Sequence, residues 1–193
     1  MTTDKLIEYF ENFLPLSNEE KQFLKDIFKE RKIKRRQFIL QEGDISKFNT
    51  FVVEGCFRMY MVDSKGKEHN LQFATENWWV GDISSFHTGA PSKLNIEAME
   101  NSLVLQAKKE DNLILFEQFP VFNRIFRVLA ENAMVSLQNR ILQNISSTAE
   151  ERYLDFSTRH PELFNRISNV QIASYLGVTP EFLSTVRKKI SKS

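Results

Sequence analysis

The apolar residues of this chain keep one period and then change to another. From about residue 33 to 107 they alternate, as in "KRRQFILQEGD" (34–44) and "TFVVEGCFRMYMVDSKGKEHNLQFA" (50–74). Turn residues interrupt the alternation at Gly43-Asp44, at Ser64-Lys65-Gly66 and at Glu100-Asn101, the last lying between "KLNIEAME" and "SLVLQAK". Alternation puts every second side chain on one face, so these runs read as short strands joined by turns, the pattern of an antiparallel sandwich or barrel. Beyond about 109 the spacing becomes three and four. No Gly or Pro lies between Pro120 and His160, and Phe122, Phe126, Leu129, Ala133, Leu137 and Ile141 form one helical stripe.

A helix of ~24 residues is roughly 36 Å long, more than one face of a small β domain can cover. Part of the stripe is therefore expected to meet a second copy of the chain, and its six residues are the candidate dimer interface. The helix is expected to break at Ser146-Ser147, where Ser147 and Glu150 have capping-box spacing, and a new helix to run to about Arg159 before His160-Pro161 turns the chain. At the other end, residues 4–14 and 17–31 read as two amphipathic helices. Ser17 and Glu20 form the capping box of the second, and Phe23, Leu24, Ile27 and Phe28 form its stripe.

Residues 171–190, "QIASYLGVTPEFLSTVRKKI", are the most specific stretch. Ser168-Asn169-Val170-Gln171 is a further capping box, so a helix should run from Asn169 to about Leu176. Gly177 supplies the left-handed backbone of a tight turn, Thr179 can cap a second helix, and Pro180 suits its first position. Ala173 is small where two steeply crossing helices must approach, and Ile172, Leu176, Val178, Leu183 and Val186 are the apolar positions that would lock them, with Ile190 continuing that side of the second helix. The opposite side carries Glu181, Ser184, Thr185 and Lys188, flanked by Arg187 and Lys189. Carboxylates and hydroxyls can bond base edges and cations can meet phosphates, so this is a candidate DNA-binding helix-turn-helix, Thr179 included.

A net charge of +1 over 193 residues makes any basic surface a local feature, and most of the positive excess after residue 146 sits in the last seven residues. The lone Cys56 rules out an internal disulfide and a cysteine-held cluster, and its apolar surroundings read as a buried strand thiol. The N-terminal pattern contains acids and is no signal peptide, and no uncharged run is long enough to span a membrane, so a cytoplasmic location is expected.

A β-rich domain, a long helix and a helix-turn-helix, in that order, resemble the regulators related to the cyclic-AMP receptor protein and FNR (the Crp/Fnr family). The residues that carry the resemblance are "QEGD" (41–44), Gly55, "VGDISSF" (80–86) with Pro91, and "QIASYLGVTPEFLSTVRKK" (171–189). It implies an α+β chain: a double-stranded β-helix (jelly roll, cyclic-nucleotide-binding-like) effector domain over 1–119, a dimerisation helix over 120–145 and a DNA-binding domain over 146–193. The implied partners are double-stranded DNA with a palindromic operator, a second copy of the chain and RNA polymerase.

Departures from the family pattern are informative. The nucleotide-binding cassette of the family ends in Arg-Ser or Arg-Thr; here Gly81-Asp82 opens it and Ser92-Lys93 stands where that pair would be. Without the arginine, the bidentate grip on a cyclic phosphate is lost, so no tight cyclic-AMP or cyclic-GMP binding is expected. Gly81, Asp82, Ser92 and Lys93 remain the candidate pocket for another small-molecule effector, placed between the roll and the long helix, and no cofactor is called for. Thr185 stands where the family commonly has an arginine that reads guanine, and a sequence stopping at Ser193 leaves out the β-hairpin wing that often follows. His69, His87 and His160 are isolated, which leaves haem sensing a weaker alternative. A cupin enzyme would need a His-x-His metal motif that the chain lacks, so a non-enzymatic regulator is expected. The remaining alternative is a small-molecule or protein-binding β-roll module that no longer reads DNA.

Overall fold

The structure, a computed structural model, describes residues 2–190, the side chains of Asn165 and Ile190 excepted; the expectation for Ile190 therefore lies outside the described residues. Two short helices, α1 (Thr2–Glu11) and α2 (Asn18–Ile27), precede eight strands: β1 (Lys29–Ile33), β2 (Phe38–Leu40), β3 (Phe48–Glu54), β4 (Phe57–Val62), β5 (Glu68–Ala74), β6 (Trp79–Val80), β7 (Asn95–Ala98) and β8 (Ser102–Lys108). Helix α3 (Ile83–Thr88) interrupts the strands, and α4 (Lys109–Gln118), α5 (Pro120–Ser146), α6 (Ala149–Arg159), a short 3-10 turn (Pro161–Asn165), α7 (Asn169–Leu176) and α8 (Pro180–Ile190) follow.

The expected second helix, 17–31, stops at Ile27, and residues 29–33 are instead strand β1, paired antiparallel with β8 from Lys29↔Gln106 to Ile33↔Ser102. Sheet pairing has overridden a run of good helix formers. The capping box of α2 forms as read, with Ser17 N–H donating to Glu20 at 2.7 Å and Glu20 N–H to Ser17 Oγ at 3.2 Å.

The chain divides into two compact units, residues 1–61 with 72–129 and residues 62–71 with 130–193, so α5 contributes to both. In the first unit the strands form two four-stranded sheets, β1-β8-β3-β6 and β2-β7-β4-β5. Pleating sorts successive residues of the first sheet to opposite faces. Phe51, Val53, Leu105 and Ala107 face a cluster with Leu6, Phe10, Leu24, Phe28, Leu115, Phe122 and Ile125. Their neighbours Ile33, Val52 and Val104 join Leu40, Phe57, Ile96 and Ala98 of the second sheet in the core of the roll. The phenylalanine-rich composition finds its use in the first cluster, where Phe10 stands 5.9 Å from the Trp79 ring and 5.6 Å from Phe122, and Phe51 5.2 Å from Trp79.

Gly55 is where the roll turns most tightly. Its φ is +107°, and a Cβ there would fall 2.1 Å from Ser102 Oγ. Cys56 follows it, buried as expected but in the turn between β3 and β4 rather than inside a strand.

In the second unit Tyr153, Phe156, Leu163, Ile172, Ala173, Leu176, Leu183 and Val186 are buried. The tip of the β4–β5 hairpin, residues 62–71, belongs to this unit and is hydrogen-bonded to α7. Asn70 N–H donates to Ser174 Oγ at 3.1 Å, Ser174 Oγ donates to Glu68 O at 3.1 Å, and Asn70 Nδ2 donates to Gln171 O at 3.2 Å. Arg140 of α5 donates to the Leu71 and Asn70 carbonyls and stacks 4.2 Å above the Tyr175 ring. No helix among the described residues is long and apolar enough to cross a membrane.

Candidate nucleic-acid interface and effector cassette

Helix α7 begins at the Ser168–Gln171 capping box and ends where Gly177 takes φ +70°, as the sequence requires. The Val178 N–H reaches back to Ala173 O at 3.0 Å, the six-to-one bond of a left-handed helix end. Thr179 then caps α8, accepting from Phe182 N–H at 3.2 Å. Ile172, Ala173, Leu176, Leu183 and Val186 are all buried, whereas Val178 is half-buried. Arg152 of α6 ties the turn down from behind, donating Nε to Leu176 O at 3.2 Å and Nη1 to Ser147 O at 2.7 Å. Helix α6 starts one residue later than expected, on a Thr148–Glu151 capping box, because Ser147 N–H still bonds Gln143 O as part of α5.

On the outer face of α8, Glu181, Ser184, Thr185 and Lys188 are exposed. Both hydroxyls donate to their own helix, Ser184 to Pro180 O at 2.9 Å and Thr185 to Glu181 O at 3.2 Å. In this arrangement each offers lone pairs outward and can accept from an adenine or cytosine amine. Arg187 and Lys189, both expected phosphate ligands, have internal partners. Arg187 is half-buried, bonded to Asn169 Oδ1, and Lys189 pairs with Glu150 at 2.8 and 3.0 Å. The Lys189–Glu150 pair is solvent-exposed and so weakly held that a phosphate could displace the carboxylate.

The expected effector residues are not gathered around one space. Asp82 is 8% exposed and caps α3, accepting from Ser85 N–H at 3.2 Å, while its other oxygen takes the Ser92 hydroxyl at 2.7 Å. Ser92 N–H donates to Asp44 O and Gly43 N–H to Ser92 O, both at 2.8 Å, which closes the "QEGD" turn over the end of the cassette. Ser46 N–H adds a bond to Ser85 Oγ at 2.9 Å. Asp82 and Ser92 thus satisfy each other, and Lys93 is exposed. Gly81 alone of the four lines a cavity of about 190 Å³, bordered by Arg31, Leu40, Ser46, Thr50 and Gln106. No residue of the long helix lines it, contrary to the expected position between roll and helix.

Residues 30–119 match the cyclic nucleotide-binding domain family. Among solved structures the chain is similar to the c-di-GMP-responsive global regulator CLP of Xanthomonas campestris, at 15% identity over 91% of this chain and 92% of that one, with a TM-score of 0.73. FixK2 of Bradyrhizobium japonicum is similar at 20% identity, covering 86% and 85%, TM-score 0.70, and the catabolite activator protein of Thermus thermophilus at 20%, covering 93% and 86%, TM-score 0.57. The chain has the fold of the Crp/Fnr regulators. No curated protein sequence matches it.

Within that Crp/Fnr fold the long helix corrects part of the expected dimer stripe. Phe122 is fully buried in the first unit's core, and Phe126 and Leu129 pack against the same cluster. Phe122 is thus covered by the chain itself, and Phe126 and Leu129 are half-buried. Ala133, Leu137 and Ile141 are exposed, joined by Met134, Val135, Leu142 and Ile145. Of the histidines, His69 bonds Asp63 at 2.8 Å in the hairpin tip, and burial lowers the pKa of His160. No group of three or more metal-ligating side chains occurs among the described residues. Asn70, Arg140 and the Asp82–Ser92 bond gave no motif at the sequence level. Only folding brings partners from distant parts of the sequence to them.

Proposed function

We propose that this protein is a cytoplasmic, homodimeric, sequence-specific DNA-binding transcription regulator. Its domains are an effector domain (1–119), a dimerisation helix (120–145) and a DNA-binding domain (146–193). The observation that carries this reading is the α7–Gly177–α8 pair: a buried apolar seam on one side, and Glu181, Ser184, Thr185 and Lys188 exposed together on the other. A helix so presented suits the major groove, with Glu181 toward a cytosine amine and Lys188 toward phosphate. The exposed apolar run from Met134 to Ile145 supports pairing of two α5 helices, which would present two recognition helices to half-sites about 34 Å apart. The closed Asp82–Ser92 cassette supports an effector other than cyclic AMP or cyclic GMP, with the cavity beside Gly81 as its candidate seat.

Selection of the purified protein on randomised DNA at two salt concentrations tests the reading. A two-fold symmetric motif is expected among the retained sequences; salt-sensitive retention with no motif would contradict it. Sedimentation of a Leu137→Glu, Ile141→Glu double variant should show the monomer where the unaltered protein sediments as a dimer.

A further inference from the structure

Helix α8 exposes one large apolar side chain in its first turn. Phe182 stands in the first turn, directly after Glu181, and 48% of its surface is exposed. The next residue, Leu183, and Val186 fill the seam against α7 at 1% and 3% exposure, so the helix has its anchors without Phe182. At 100° per residue Phe182 lies between Val186 of the buried seam and Thr185, on the border of the exposed face. The exposed half of the ring is apolar surface available for a contact outside the chain.

The neighbours sharpen the assignment. Ser184 and Thr185 have turned their hydroxyl protons onto Pro180 O and Glu181 O, and Arg187 is drawn to Asn169. With those bonds in place Ser184 and Thr185 can only accept from base amines, and Phe182 is the exposed apolar side chain at the N-terminal end of α8. The major groove displays one alkyl group, the C5 methyl of thymine, and aromatic side chains contact it favourably. We propose that Phe182 is a specificity-determining residue that reads a thymine methyl in each half-site, next to the base pair read by Glu181. This rests on the DNA-binding reading above and adds to it a chemical identity for one base of the operator.

The test uses the full chain and the sequence retained in the selection. Each thymine of one half-site is replaced in turn by deoxyuridine, which removes the methyl and keeps every hydrogen-bonding group, and affinities are compared for the unaltered protein, Phe182→Leu and Phe182→Ala. The unaltered protein should lose about fourfold at one thymine, the worth of one buried methyl. Phe182→Leu should keep much of that sensitivity, and Phe182→Ala should bind the two DNAs equally. A protein that binds its motif but responds to no deoxyuridine, or Phe182→Ala responding as the unaltered chain does, overturns the assignment and leaves the DNA-binding reading intact. Recovery of no motif overturns both.

Discussion

The cassette at residues 81–93 and helix α8 at 180–189 are built from similar side chains, yet the fold turns them in opposite directions. In the cassette Asp82 and Ser92 face each other at 2.7 Å and are nearly out of contact with water. In α8 the acid and the hydroxyls face outward, because Leu183 and Val186 occupy the buried side. A short polar side chain is a binding group only where the protein has left it something to bind. The first region has used its polar atoms to close itself, and the second presents them.

The comparison is broken most severely at the seam of the second unit. Leu183→Ala, at 1% exposure, should cost about 2–5 kcal/mol of stability in that unit and abolish DNA binding. Both tryptophans, Trp78 and Trp79, lie in the first unit, so tryptophan fluorescence should still report a native roll while the helical signal in circular dichroism melts early. The converse variant, Gly55→Ala, drives a Cβ onto Ser102 and strains a φ of +107°, and should shift the fluorescence transition by about 1–3 kcal/mol.

A smaller effect is expected inside the cassette. Asp82→Ala removes the cap of α3 and leaves the Ser92 hydroxyl without its carboxylate, which should cost about 1–2 kcal/mol in denaturant titrations without creating affinity for cyclic AMP. On α8, Lys188→Ala should weaken all DNA sequences alike and reduce the slope of log affinity against log salt by about 1, with folding unchanged. The least effect concerns the hairpin tip. The His69 ring, then the Lys67 and Lys65 N–H groups, hold the Asp63 carboxyl at about 2, below its ordinary 3.8. A lowered carboxylate pKa contributes stability that is present above the unfolded value and is lost as pH falls through about 2. Carboxyl chemical shifts followed from pH 5 to 1 should show that titration, and His69→Ala should move it back toward the usual range.

Much of this architecture could be read from the residues because it depends on local chemistry. Capping boxes at Ser17 and Ser168 and the glycine at 177 act within one turn of chain, and all three do in the structure what their types dictate. The change of hydrophobic period likewise separated strands from the long helix. What escaped depends on partners far away in sequence. Residues 29–31 look helical until β8 pairs with them, and Phe122 looks like an interface residue until α1 covers it. Nothing in the sequence announces Asn169 and Glu150 as the neighbours of Arg187 and Lys189. The closing of Asp82 on Ser92 is ten residues long in sequence, yet only the fold of the "QEGD" turn against it makes the bond a seal.

The contrast between a closed cassette and the outward-facing polar side of α8 meets its most direct test in one titration. The affinity of the purified protein for its selected DNA motif is measured with and without saturating cyclic AMP. The same affinity under both conditions is the expected result. Binding that appears, or tightens tenfold or more, only when cyclic AMP is added would contradict the account.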